Sequence, residues 1–354
     1  MSGHDPILRQ HGYHRLRVKE VVHETDDASS FVLEVPPELA ATFQYRPGQF
    51  CTFRFRIDGD EQLRSYSMSS APATDPDLTV TVKRVANGVV SNHFLDHVAA
   101  GDTVELTKPA GVFCPQDAER PVIGLCGGSG VTPVVSIAKQ VLATSARPVR
   151  LLYANRNAGS VIFEAQLLEL ETAHSGRLEV RHHLDEAGGF LGPEEVAMFV
   201  GSQLDADFYI CGPGPFMDLV ERVLAEQGVA QERVFIERFL VEQQEKDDAA
   251  ADAGGDAGTR DGPTEVTVVL DKNRVVVTYQ RGDTLLETAR RGGLRPPFSC
   301  ESGNCATCMA FLKEGAADMR ANNALTPEEV EEGWVLTCQA VPRGGTVTVE
   351  YEAM

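Results

Sequence analysis

Cys300, Cys305 and Cys308 form a C-x4-C-x2-C run, and a fourth cysteine, Cys338, stands 30 positions further on in Val335-Leu336-Thr337-Cys338. No other feature of the chain restricts its fold as much. Three thiolates on one tight loop and a fourth on a distant segment have the spacing that encloses a [2Fe-2S] cluster. Gly303 and the small residues Ser302, Ala306 and Thr307 let backbone N–H groups approach the sulfurs. Such hydrogen bonds, with exposure and charge, tune a reduction potential. A structural zinc site would use two C-x2–4-C pairs. Cys338 has no cysteine beside it, so the spacing favours the cluster.

The residues around this loop, including Leu325-Thr326-Pro327-Glu328-Glu329-Val330 leading to Cys338, resemble the plant-type ferredoxin family over residues 264–354. The resemblance implies an α+β β-grasp fold and a one-electron carrier. Glu328, Glu329, Glu331 and Glu332 suit either a docking patch or a helix first turn. Thr326 as N-cap, Pro327 at N1 and Glu329 at N3 make a capping box, so the structural reading leads.

A chain of 354 residues suggests two or three domains. Its net charge of −20 argues against nucleic acid or an anionic membrane as partner. It suits a partner with a basic patch, or simply solubility. Met1-Ser2-Gly3-His4-Asp5-Pro6 lacks an apolar h-region, and no apolar run is long enough to span a bilayer. Eight cysteines without a secretory signal argue against a disulfide framework. The expectation is a reducing cytoplasm.

Residues 1–14 are read as a flexible leader. Within 15–113, short β-rich runs separated by Pro47-Gly48, Asp58-Gly59-Asp60, Asp75-Pro76-Asp77 and Ala100-Gly101-Asp102 predict an antiparallel β-barrel, with a helix near 90–98. From 114 to 240, strands alternate with helices, which predicts a parallel-sheet α/β domain. Residues 241–263 are read as an acidic flexible linker. Seven acids and two bases fall between 242 and 261 among alanines and glycines. Such a coil spans roughly 25 Å r.m.s..

Two motifs in the barrel point to a flavin. In Arg64-Ser65-Tyr66-Ser67, an arginine suits a phosphate by bidentate hydrogen bonding. Tyr66 lies on the same strand face and can cover an isoalloxazine ring, and the Ser67 hydroxyl can reach the flavin N5 region. The second motif runs from Val82 and Lys83 through Gly88, Val90 and Ser91, where a helix N-terminus offers N–H donors to a pyrophosphate. A glycine loop, Gly127-Gly128-Ser129-Gly130-Val131-Thr132-Pro133, joins a strand to a helix and suits a dinucleotide pyrophosphate. A glycine loop alone is weak evidence. The later run Cys211-Gly212-Pro213-Gly214-Pro215-Phe216-Met217 at a strand end adds weight.

Taken in this order, the motifs in residues 16–239 resemble the ferredoxin–NADP reductase family. The resemblance implies FAD, with FMN the lesser choice, held by the two barrel motifs. It places Cys211, Gly212, Pro213 and Met217 beside the nicotinamide. Through Glu237-Arg238-Phe239 it places Phe239 over the flavin and Glu237 near Ser67 and Cys211. Phe239 is equally readable as core. Asp185 and Glu186 would repel a 2′-phosphate and bind ribose hydroxyls, which favours NADH, while Arg156 leaves NADPH open.

The order flavin, nicotinamide, ferredoxin resembles oxygenase reductases of the 3-ketosteroid 9α-hydroxylase type, with the phenylacetyl-CoA epoxygenase type next. That implies a monomeric reductase with Ser67, Cys211 and Glu237 aiding hydride transfer and a terminal oxygenase as acceptor. The acceptor could be a Rieske, diiron or cytochrome P450 oxygenase. A redox-sensing interaction module and a self-contained NADH oxidase are the readings of other classes.

Overall fold

The computed structural model describes residues 13–239, 263–270, 273–298, 301, 303, 305–322 and 324–351. The chain divides after Phe239 into two compact units.

The first unit opens with six strands, β1 (Tyr13–Thr25), β2 (Ala28–Glu34), β3 (Phe50–Ile57), β4 (Asp60–Ser67), β5 (Leu78–Lys83) and β6 (Thr103–Thr107). They form an antiparallel sheet in the order β4-β3-β6-β1-β2-β5. Its two edges meet through a Met68–Val80 bridge, extended by the Ser69 N–H donating to Thr79 O at 2.9 Å, which curls the sheet as the barrel expectation requires. Alternation drives the burial. Leu16 and Val18 of β1 point inward to Phe31, Leu33, Phe53 and Val80, while Arg15 and Arg17 point out. Helix α1 (Val89–His97) lays Phe94 against Phe31, Phe53 and Phe55.

One detail differs from the sequence expectation. Tyr13 and His14 pair with Thr107 and Leu106 in β1, whereas the expected leader runs through residue 14. The Arg64-Ser65-Tyr66-Ser67 motif lies in β4, directly after the third strand. Asp58 and Gly59 both take positive φ, 54° and 92°, the hairpin-turn geometry that folds β4 straight back on β3.

The unit continues with β7 (Val122–Gly127), β8 (Val149–Asn155), β9 (Leu178–Leu184), β10 (Asp207–Cys211) and β11 (Val234–Glu237), all parallel, in the order β11-β10-β7-β8-β9. Helices α2 (Val131–Thr144) and α3 (Glu164–Ala173) cover one face. After the short α4 (Asp185–Gly188), α5 (Pro193–Val200) and α6 (Gly214–Glu226) cover the other. Strand order reverses at β7, so a crevice opens between the carboxyl ends of β7 and β10, the place where such sheets bind ligands. Ser136 Oγ of α2 donates to Ser70 O at 2.6 Å and Lys139 meets Asp75 at 2.9 Å, seating the sheet domain on the barrel.

The second unit holds β12 (Glu265–Leu270), β13 (Asn273–Thr278), β14 (Met309–Met319), β15 (Trp334–Leu336) and β16 (Ala340–Glu350) in the order β13-β12-β16-β14-β15. Only β12 and β16 run parallel, which makes a mixed sheet. Helix α7 (Leu285–Arg291) buries Leu285 and Ala289 against Val266, Val268, Val347 and Val349. Helix α8 (Pro327–Glu331) carries the expected capping box: Thr326 N–H donates to the Glu329 carboxylate at 2.9 Å and Glu329 N–H to Thr326 Oγ1 at 3.3 Å. Thr284 and Glu287 form a second box on α7, unforeseen from the sequence although T-x-x-E is its signature. The acidic tether lies, up to residue 262, outside the described residues.

Candidate functional site

The crevice is built from two backbone turns in contact. A Cβ on Gly130 would lie 2.1 Å from Cys211 O and 2.7 Å from Gly212 N. On Gly127 it would meet Pro213 Cδ at 2.9 Å, and on Gly212 it would meet Gly127 N at 3.0 Å. These three glycines are therefore needed so that the loop after β7 and the turn after β10 can interlock. Gly128 is the one with a left-handed backbone, φ 53°, and its nearest neighbour on the Cβ side is Lys83 Nζ at 4.0 Å. Thr132 is buried and donates through Oγ1 to Ser129 O at 3.0 Å, closing the loop onto α2. Gly130→Ala is expected to destabilise the protein by about 1–3 kcal/mol through forced backbone shift and to raise KM for the dinucleotide. Thermal unfolding and steady-state kinetics would check both.

Parallel pairing sets Cys211 beside Glu237 on one side and Cys126 on the other. Cys211 is 0% exposed, and burial, then the charges of Glu237 and Cys126, push its thiol well above the ordinary range. Burial also raises Cys51 and Cys126, and pushes Cys114 up to about 11. At neutral pH Cys211 is a protonated thiol, a hydrogen-bonding and packing group rather than a nucleophile. Because the folded thiols hold protons that the unfolded chain releases above about pH 8.5, their stabilisation is complete below that pH and is lost as pH rises further. Denaturation midpoints falling from pH 8 to pH 10 would report it.

Phe239 is half-buried and packs on the cluster containing Cys126, Val131 and Cys211, adjoining the crevice. Met217 packs in the core under α6 with Ile210 and Val220. The amphipathic face of α6 thus takes a residue expected to contact the nicotinamide. Asp185 lies 3.5 Å from His183 Nε2, and Glu186 accepts from Asn157 Nδ2 at 2.8 Å. Arg156 donates to Asp27 of the barrel at 2.8 Å.

One residue at this edge has no counterpart among the sequence expectations. Asn155 ends β8 at 5% exposure, near enough to the Tyr153 hydroxyl to act on it, yet neither of its amide atoms reaches hydrogen-bond geometry with any described residue. A buried carboxamide left so is costly unless something completes it. A nucleotide lying across the strand ends, with its ribose and phosphate oxygens, matches that amide in donors and acceptors. Only its place at a strand end hinted at this.

In the barrel, Arg64, Ser65 and Tyr66 are half-buried and Ser67 is buried. Arg64 Nη1 donates to Leu63 O at 2.8 Å, and Ser65 Oγ pairs with Thr52 Oγ1 at 2.9 Å. The Tyr66 ring stands edge-on to Phe53 and Phe94, 5.7 and 5.5 Å between centroids, which fixes its plane. Val82 and Val90 are core residues. Gly88 N-caps α1 without a side-chain cap, and a Cβ there would meet Ser91 Oγ at 2.7 Å. Ser91 Oγ accepts from Val85 N–H at 3.2 Å, shaping the turn. An aromatic plate, an arginine and a helix start with glycine as its N-cap fit a flavin and its pyrophosphate.

In the second unit, Cys305, Cys308 and Cys338 are buried in one neighbourhood, and Cys300 lies outside the described residues. Thr337 donates to Cys308 O through both N–H and Oγ1, at 3.1 and 2.8 Å, which brings the Cys338 segment onto the loop. Left-handed φ at Glu301 (47°), Gly303 (77°) and Ala306 (56°) curls that loop. Gly303 is doubly required, since a Cβ there would meet Ala321 O at 2.8 Å. Arg290 braces the loop by pairing with Glu301 at 2.7 Å and stacking over Phe298 at 3.8 Å. Soft sulfur donors on a strained, braced loop suit an iron–sulfur cluster.

Three family models match the chain: an oxidoreductase FAD-binding domain over residues 15–114, an oxidoreductase NAD-binding domain over 125–222 and a 2Fe-2S iron-sulfur cluster binding domain over 268–343. The chain is 39% identical over 342 residues to the ferredoxin reductase component of 3-ketosteroid-9-alpha-monooxygenase from Mycolicibacterium smegmatis, covering 95% of this chain and 96% of that one. It is 30% identical to a component of the 1,2-phenylacetyl-CoA epoxidase of Escherichia coli, with 96% and 98% covered. Phthalate dioxygenase reductase has a similar structure, with a TM-score of 0.61 at 25% identity, over 96% of this chain and 98% of that one. Barrel, parallel sheet and mixed sheet follow one another here as those three domains do. No described helix is long and apolar enough to cross a membrane. The chain therefore belongs to the family of oxygenase reductase components, oxidoreductases that join FAD-binding, NAD-binding and [2Fe-2S] domains in one polypeptide and pass electrons to an oxygenase.

Proposed function

We propose that this protein oxidises NADH and delivers single electrons to the oxygenase component of a steroid 9α-hydroxylase, a Rieske-type ring hydroxylase. FAD, when bound, divides a hydride into single electrons, and the cluster relays them. The domains are assigned as 15–113, 114–240 and 264–354. Arg64 and the first turn of α1 hold the flavin pyrophosphate, Tyr66 covers the ring, and Ser67 offers a hydroxyl at its reacting edge. Gly127, Gly128, Gly130 and Thr132 present backbone N–H groups to the dinucleotide pyrophosphate. Cys211, protonated, and Glu237 line the nicotinamide side with Gly212 and Pro213, and Phe239 fills that space between hydride transfers. Cys300, Cys305, Cys308 and Cys338 ligate the cluster.

The observation that carries this reading is the interlock of the Gly127–Gly130 loop with the Cys211-Gly212-Pro213 turn, with Lys83 of the flavin-motif strand reaching the same loop. The steroid partner rests on 39% identity to the ketosteroid reductase component against 30% to the epoxidase component. A monomer in the cytoplasm is the accompanying assignment.

Anaerobic titration with NADH, followed by visible absorption and low-temperature EPR, tests the relay. Flavin bleaching with a reduced-cluster signal is expected. No bleaching with either NADH or NADPH would sink the reductase reading. Turnover with an artificial acceptor excludes a pure redox sensor, and slow oxygen consumption without a partner excludes an NADH oxidase.

A further inference from the structure

We propose that Asp27, in the turn between β1 and β2, determines dinucleotide specificity by holding the Arg156 guanidinium across the seam between barrel and sheet, out of reach of the 2′-phosphate of NADPH. This rests on the reading that the protein uses NADH.

Arg156 directly follows β8, the second strand of the parallel sheet. In such sheets an arginine in this neighbourhood is the group that accommodates a 2′-phosphate, and an acid there binds the ribose hydroxyls instead. Arg156 is therefore the cation that would make NADPH acceptable. Its Nη2 lies 2.8 Å from Asp27 Oδ2, a partner 129 residues away in sequence.

Asp27 is not a loose surface acid. It sits in a two-residue turn closed by the Thr25–Ala28 pair. Thr25 Oγ1 donates to its Oδ1 at 2.9 Å, and Arg84 N–H donates to its backbone O at 2.7 Å. Lys83 Nζ stands 3.9 Å from the same Oδ1, so the carboxylate sits between two cations, one from each domain. Its place is set before any nucleotide arrives.

Beyond the pair is an open cleft of about 680 Å³ lined by Asp26, Asp27, Arg156, Asn157, Ser160 and Glu186, with Ala158 and Gly159. Glu186 is oriented by Asn157 Nδ2 at 2.8 Å, and its N–H donates to Arg156 O at 3.0 Å. Three carboxylates, Asp26, Asp27 and Glu186, line the cleft with one guanidinium that Asp27 already pairs. A phosphate dianion entering here meets net negative charge, whereas a ribose diol meets acceptors for its hydroxyls. The Arg156 side chain is 68% exposed, so the ion pair alone is weak. Asp26 and Glu186 keep their charge in every form tested below, so the part of the selectivity that depends on Asp27 is the placement of the Arg156 guanidinium.

The test uses the full-length flavoprotein and four forms: wild type, Asp27→Asn, Arg156→Ala and the double variant. Reduction of ferricyanide gives kcat and KM for NADH and for NADPH, and calorimetry gives Kd for 2′,5′-ADP without turnover. Asp27→Asn is expected to raise the NADPH-to-NADH ratio of kcat/KM about tenfold, ~1.4 kcal/mol, through KM rather than kcat. It should tighten 2′,5′-ADP by a similar factor, and the gain should vanish in the double variant. Asp27→Ser should give the same sign if the asparagine protein folds poorly. An unchanged ratio and Kd in both Asp27 variants, with a wild type selective for NADH, would overturn the role of Asp27 alone. A gain that survives Arg156→Ala would overturn it as well. A wild type that takes both nucleotides equally would overturn the NADH reading and this inference with it.

Discussion

Replacing Asp207 by alanine is expected to destabilise the first unit by about 3–5 kcal/mol, the usual cost of stranding a buried charge. Asp207 opens β10 at 0% exposure. Its Oδ2 takes Arg147 Nη2 at 2.6 Å and its Oδ1 takes Arg120 Nε at 2.9 Å. The Arg147 side chain is itself buried, with Nη1 donating to Gln116 O at 2.9 Å and Nε to Arg120 O. One guanidinium thus ties the segment that leads from the barrel into β7 to the start of β10. Without Asp207, Arg147 keeps its backbone partners but loses its counter-ion inside the protein. Urea unfolding followed by far-UV circular dichroism would measure the loss. The pair Asp207→Leu with Arg147→Met should recover most of it, since burying neither charge is cheaper than burying one. A loss below about 1 kcal/mol for Asp207→Ala, the range of an exposed pair, would refute this account.

Cys338→Ser is expected to abolish the cluster while leaving the flavin half at work. Cys338, proposed above as the fourth ligand, arrives from outside the loop, held there by the two hydrogen bonds from Thr337 to Cys308 O. A serine there supplies a hard oxygen in place of a soft thiolate. Electron delivery to a one-electron protein acceptor should fall at least ~100-fold, the upper end of what even outer-shell changes cost. Reduction of ferricyanide by NADH should persist, because the flavin and nucleotide residues lie in the other unit. Iron content, the visible spectrum and the EPR signal of the reduced protein separate these effects. Retention of a full cluster in Cys338→Ser would remove Cys338 from the ligand set. Loss of ferricyanide reduction as well would show that the flavin half depends on the cluster domain.

Much of this is legible along the chain because the signals are local. The ligand spacing from Cys300 to Cys308 is set within nine residues. Strand and helix periods show in runs such as Val122–Gly127 and Val131–Thr144, whose buried residues are mostly apolar. Strand β4 is harder, since Asp60-Glu61-Gln62 opens it with polar residues and only the positive-φ turn at Asp58 and Gly59 declares the hairpin. The glycine loop is recognisable for its tolerance of phosphate. What Gly130 must avoid is a carbonyl 81 positions away, and no motif records that.

Local chemistry written into the chain is thus enough for the three-domain order and for the classes of cofactor, because each depends on residue types at short spacings. Only the folded molecule could decide that Met217 is core, that Asn155 keeps an unanswered amide at a strand end, and that Arg156 is taken by Asp27. Those outcomes depend on which segments share a seam, and burial and Coulomb interaction act on distance in space, not on separation along the chain.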